Sequence, residues 1–253
     1  MKCKLCLEEK QLLKKSHIIP DFMHKGLRDE DNKFFLINIE DYSKFEKKYT
    51  GEFESNILCQ ECDNKVIGQY ETYAHKILYG GRINEGENIE FENQKNQSGL
   101  VSTCVKGIDY KKFKLFLLSL LWRSSISSRK FYSQISLGPH EEIIRRIILS
   151  GNPGNQMDYP CFISTYLNNK NKLSPDFIGQ PIKVKNNDGT KYVFLIGGFV
   201  YMFFISRHNI PDWLSECVIN DCDRISIPHM SEEMGVDMLN YFLGVDMFKC
   251  NLK

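Results

Sequence analysis

The chain has 253 residues, 42% hydrophobic and 26% charged, with 33 lysines and arginines against 32 aspartates and glutamates for a formal net charge of +1. That is the make-up of an ordinary globular protein, long enough for one large domain or two small ones, and it excludes a uniformly basic nucleic-acid coat while leaving room for a local basic face. The longest apolar run, Tyr192 to Ile205, is too short to span a bilayer and is broken by Gly197-Gly198, so no membrane association is expected.

Met1-Lys2 leads directly into Cys3-Lys4-Leu5-Cys6, with no secretory leader pattern. A cytoplasmic setting with reduced thiols is therefore expected. After a polar turn at Glu8-Glu9-Lys10, residues 12–19 read as a short strand that ends at Pro20 and contains Ser16-His17-Ile18-Ile19. Residues 21–27 read as one or two helical turns stopped by Gly26, and residues 32–40 alternate polar and apolar as a strand does. The charged stretch 41–50 reads as a surface loop, and residues 53–58 lead into Cys59-Gln60-Glu61-Cys62. A helix then follows. Val66, Ile67, Tyr70, Tyr73, Ala74, Ile77 and Leu78 make one apolar stripe, ended by Gly80-Gly81.

Two Cys-x-x-Cys pairs are the ligand set of a structural zinc site, so Cys3, Cys6, Cys59 and Cys62 are the candidate ligands, four thiolates with no open position left for chemistry. A thioredoxin-like redox pair fits less well, because no strand–helix–strand pattern surrounds either motif. Cys104, Cys161, Cys217, Cys222 and Cys250 read as small core residues, with Cys217 and Cys222 open to a second metal site.

Residues 82–100, rich in Asn, Glu, Gln and Gly, read as a linker or exposed loop between a unit at 1–81 and a unit at 101–253. From Asp109, Phe113, Phe116, Leu117, Leu120 and Leu121 form a helical face broad enough for burial on more than one side. A second helix is expected from Gly138-Pro139, with Glu141 and Glu142 near its positive end and Gly151 as its stop. Residues 161–166 read as a strand. Residues 182–185 and 192–196 flank the turn signal Asn187-Asp188-Gly189, and 199–205 is a further strand, with late helical segments at 212–214 and 231–243. The expected class is α+β, the second unit being helices packed on an antiparallel sheet. Basic residues gather at Lys2, Lys4, Lys10, Lys14 and Lys15, and again at Lys111, Lys112, Lys114, Arg123, Arg129, Lys130 and Arg145-Arg146. They suit phosphate contacts or an ordinary solvated face. Tyr70, Tyr73 and Tyr79 suit base stacking, but their helical spacing reads first as core.

The order knuckle, strand, long excursion, knuckle, helix is that of a treble-clef zinc finger. With Ser16-His17-Ile18-Ile19-Pro20, Asn56-Ile57-Leu58-Cys59 and Cys62-Asp63-Asn64, it resembles the HNH endonuclease family over residues 1–81. The resemblance implies an N-terminal treble-clef domain with structural zinc, and metal-dependent cleavage of DNA phosphodiesters, in phage defence or on a mobile element. It implies His17 as general base and Asp63 as a ligand to a catalytic Mg²⁺ or Mn²⁺. Ser16 stands where an acidic ligand is usual in the family, and Asn56 lies nearer the cysteine than its counterpart does. The alternative is a non-catalytic zinc-binding module that recognises nucleic acid or a partner protein.

Overall fold

The computed structural model describes residues 1–28, 30–31, 33–37, 45–49, 51–96, 99–166, 177–186, 189–205, 210, 217–231 and 233–234. Three helices carry the interior: α1 (Gly68–Leu78), α2 (Tyr110–Ser125) and α3 (His140–Ser150), with α2 packed against both others. Asp109 starts α2 by accepting from the Lys112 backbone N–H at 3.1 Å, which satisfies one of the unpaired donors at a helix start. From Phe113 to Trp122 every residue of α2 is buried, the signature of a helix enclosed on all sides. Gly151 closes α3 in the left-handed conformation at φ 70°, which a residue without a Cβ adopts at little cost.

The strands are β1 (Ser16–His17), β2 (Phe34–Ile37), β3 (Phe45–Lys48), β4 (Phe53–Glu54), β5 (Glu90–Lys95), β6 (Val101–Lys106), β7 (Cys161–Tyr166), β8 (Phe177–Gly179), β9 (Ile182–Asn186), β10 (Gly189–Ile196), β11 (Phe199–Phe204) and β12 (Arg224–Met230). β1 and β4 form a small antiparallel pair, while the other ten form one sheet in the order β3-β2-β8-β10-β11-β7-β12-β6-β5, with β9 on the edge of β10 beside β8. The sheet is mixed: β2–β8 and β7–β12 pair in parallel, the rest antiparallel. Strand period two explains the continuous apolar run in β11. Phe199, Tyr201 and Phe203 join the helices in one core, whereas Val200, Met202 and Phe204 join Val184, Val193 and Val218 on the opposite face.

The mixed α+β class is as expected, and so are the three helices, the hairpin strands and the strands at 161 and 199. Several expectations are corrected. The presumed loop at 41–50 contains β3, which pairs with β2 through Phe45 and three charged residues. The presumed linker at 82–100 contains β5, an exposed strand whose backbone pairs with β6 although its side chains bury nothing. The expected strand at 12–19 is reduced to Ser16–His17, with an isolated bridge from Leu12 to Cys59. The sheet is not purely antiparallel, and β2 from the first unit lies between β3 and β8 within it. One hydrophobic cluster contains Cys3, Ile18 and Tyr70 together with Phe116, Ile163 and Tyr201. Asn187-Asp188, residues 212–214 and most of 231–243 lie outside the described residues. Among the described residues no helix is long and apolar enough to cross a membrane.

Candidate metal centre and adjoining histidine site

The two knuckles meet because the backbone stitches them together. Lys4 N–H donates to Ile57 O at 2.8 Å, Leu13 N–H to Leu58 O at 2.9 Å, and Asn56 N–H to Leu13 O at 2.9 Å. Asn56 turns the chain in the left-handed region at φ 60°, a conformation that asparagine tolerates better than most side chains. The second knuckle runs into a π-helical turn, Glu61–Ile67, that continues as α1. As a result, one ligand atom each from Cys3, Cys6, Cys59 and Cys62 lies within 4.8 Å of all the others. A zinc ion with Zn–S of about 2.3 Å needs sulfurs about 3.8 Å apart, so this cluster fits a tetrahedral metal such as zinc. Cys3, Cys59 and Cys62 are buried and Cys6 is half-buried, all as free thiols. Burial raises the Cys3 thiol, but hydrogen bonds from the backbone of Cys6, Cys59 and Leu5 outweigh it and bring the pKa down to about 7. Burial and the neighbouring cysteines push Cys6 and Cys62 up. Among the described residues no other group of three or more His, Cys, Asp or Glu side chains is placed to hold a metal.

His17 stands at the end of β1, opposite Phe53, with Ser16 opposite the buried Glu54. Asp63, in the π-helical turn, faces this strand. Burial raises its carboxyl, while the Arg123 charge, the Ser16 hydroxyl and the His17 charge pull it back down. Ser16 is fully buried, and its Oγ makes no hydrogen bond among the described residues although the hydroxyl acts on the Asp63 carboxyl. Ser16, Arg123 and His17 thus all act on the Asp63 carboxyl.

Two residues that the sequence presented only as part of a basic stretch, or not at all, organise this site. Arg123, on α2 and 2% exposed, donates from Nη1 to His17 O at 2.8 Å and from Nε to Ser119 O at 3.3 Å; Nη1 also lies 2.6 Å from Glu71 Oε1 on α1. A guanidinium suits this junction because its fixed fork serves several acceptors at once. Glu54 accepts from Ser127 Oγ at 2.8 Å, Ser128 N–H at 2.6 Å and Arg129 N–H at 3.1 Å, and so fastens the turn after α2 to β4. Those bonds hold its carboxyl below the usual range despite burial. Arg129, thus placed, lies with Lys15 over the Phe53 ring, at 5.7 and 5.0 Å.

Other expectations change. Lys114 and Arg145 are buried as Arg123 is, so three residues of the second basic group do not offer surface charge. Arg145 instead pairs with Glu142 and donates to Leu5 O in the first knuckle. Tyr70, Tyr73 and Tyr79 are structural: their hydroxyls bond to Ile148 O, Asp109 N–H and Tyr201 OH. Asn56 is exposed and shapes the knuckle turn. No family model matches this chain, and neither a curated protein nor a solved structure matches it.

Proposed function

We propose that residues 1–81 form an HNH-like treble-clef unit with structural zinc on Cys3, Cys6, Cys59 and Cys62, and that the chain hydrolyses phosphodiester bonds of DNA. The observation that supports this reading is that the charge of His17, at a strand end, acts on the Asp63 carboxyl at the start of the helix that follows the second knuckle. His17 accepts the proton of the attacking water; imidazole is suited to this near neutral pH. Arg123 fixes the His17 backbone through its carbonyl, its own charge being paired with Glu71. Lys15 and Arg129 beside Phe53 offer the neighbouring phosphate contacts.

A catalytic Mg²⁺ or Mn²⁺ would be held here by Asp63, with the Ser16 hydroxyl as a neutral neighbour. One carboxylate plus substrate phosphate is within the range of Mg²⁺ sites. Such an ion would supply charge neutralisation at the phosphate. The second reading, a zinc module that binds nucleic acid or a protein without cutting, is favoured by Ser16 and by the Arg123 charge that already faces Asp63.

Two variants separate the readings. Plasmid nicking in Mg²⁺ or Mn²⁺ is expected from the natural protein and lost in His17→Ala at unchanged zinc content; equal nicking by both removes His17 from the reaction. Ser16→Asp adds a second carboxylate and is expected to tighten Mn²⁺ binding in calorimetry several-fold. A folded Ser16→Asp protein with no gain, together with no nicking by the natural protein, makes the non-catalytic reading the right one.

A further inference from the structure

Away from the knuckles, the end of α1 and the strands β5, β6, β7, β11 and β12 border an open cavity of about 1010 Å³. Its walls are apolar: Ile77, Phe91, Val105, Phe199, Ile227 and Met234 contribute to them. Phe91, Val101 and Met234 on its rim are 50%, 38% and 43% exposed, apolar surface that a monomeric protein normally keeps in small patches. Lys76 lines the cavity too, but its ammonium is held by both oxygens of Glu87 at 2.7 and 2.8 Å and offers no free charge.

The polar part of the lining is a connected chain of side chains. His229 on β12 has Nε2 at 2.8 Å from Thr103 Oγ1 and Nδ1 at 2.8 Å from Thr165 Oγ1. Thr103 Oγ1 also bonds to Asn93 Oδ1 at 2.8 Å. That oxygen only accepts, so the single Thr103 proton goes to Asn93. Thr103 Oγ1 must then accept from His229, which puts the imidazole proton on Nε2. Nδ1 is left as an acceptor and takes the Thr165 proton. Every hydroxyl and imidazole proton in the chain is used. What remains are lone pairs, one on Thr103 Oγ1 and two on Thr165 Oγ1. Burial lowers the pKa of His229, so the group is neutral near pH 7.

We infer that this cavity binds a neutral, mainly apolar small molecule that carries a hydroxyl or N–H group, which donates to the threonine oxygens. Size and apolarity match those of small-molecule sites, in which a few placed polar groups set orientation. Among the described residues the His229–Thr103–Thr165 chain offers a carboxylate no donor and Lys76 is held by Glu87, so this part of the site favours a donor group over the acid of the same carbon chain. The inference is independent of the nuclease reading.

The test uses the full zinc-loaded chain and N-phenyl-1-naphthylamine, a neutral aromatic amine whose fluorescence rises in apolar surroundings. Saturable binding of one probe per chain is expected. 1-Decanol should displace it at least tenfold more effectively than decanoate. Ile227→Trp narrows the cavity and should weaken binding several-fold; Val101→Trp, at the exposed rim, does the same without a core change if the first variant fails to fold. Thr103→Val should weaken 1-decanol several-fold while leaving the probe's apolar contacts. Absence of saturable binding to the natural chain overturns the inference, as does equal competition by decanoate, or unchanged binding in folded Val101→Trp.

Discussion

His24 is a residue whose proton count is set by packing. Its ring is 1% exposed, lies 4.9 Å from the Phe34 ring, and sits so close to Gly51 that a Cβ there would fall 2.3 Å from Cε1. Burial lowers its pKa from 6.5 to about 4, and among the described residues Nδ1 has no hydrogen-bond partner. The unfolded chain therefore binds a proton between these two values that the folded chain does not. Stability from this residue is complete above about pH 6.5 and is lost as pH falls toward 4, in total about 3 kcal/mol. Urea unfolding at pH 7.5 and pH 5 should show the loss, and His24→Phe should flatten the pH dependence across that window. The same slope in the variant would assign the effect to other groups. Gly51→Ala should destabilise at every pH, because the added methyl meets a ring that has nowhere to go.

At the level of elements, α2 is the piece on which the others depend, and its start rests on one carboxylate. Asp109→Ala removes the cap to Lys112 and should lower stability by about 1 kcal/mol, while Asp109→Asn, which still accepts, should cost a few tenths. Equal losses in thermal unfolding would mean that the charge pair with Lys112 matters more than the cap. Such local signals explain which elements were legible beforehand. α2 announces itself by Asp109 and an apolar run at helical spacing, α3 by Gly151, and the knuckles by cysteine spacing. β5 is different. Its residues Glu90, Glu92, Asn93, Gln94 and Lys95 bury nothing, and only backbone pairing with β6 makes it a strand, so no pattern of side chains could reveal it. The same holds for the site. His17 and Asp63 are visible because they adjoin readable motifs, whereas Arg123 looks like any basic residue of a long helix until the packing of α2 against α1 buries it beside His17. His229 carried no local signal, since its partners Thr103 and Thr165 come from other strands.

At the level of the whole molecule, the metal cluster and the sheet are joined rather than adjacent. Lys4 donates to Ile126 O, Arg145 to Leu5 O, and β2 enters the large sheet beside β8. Cys59→Ser should release the metal and lower the melting temperature of the whole chain in a single transition, because binding at such a site is folding free energy; full metal content in that variant would rule out the ligand set. A protease should cut first in the exposed stretch 82–86. The two fragments should then stay together on a sizing column in native buffer and part only in denaturant, while separation in native buffer would establish two independent units. The parallel pairing of β2 with β8 also has a meaning in time. On a ribosome the four cysteines are all present once Cys62 has emerged, but Phe34–Ile37 cannot find their neighbour until Phe177–Gly179 follow, on the order of ten seconds later at about 10 residues per second. During that interval the cysteine cluster and the knuckle bonds around it are among the first long-range ties the nascent N-terminal segment can make, so a metal held there would act while the protein is being made, before any finished copy could lose it.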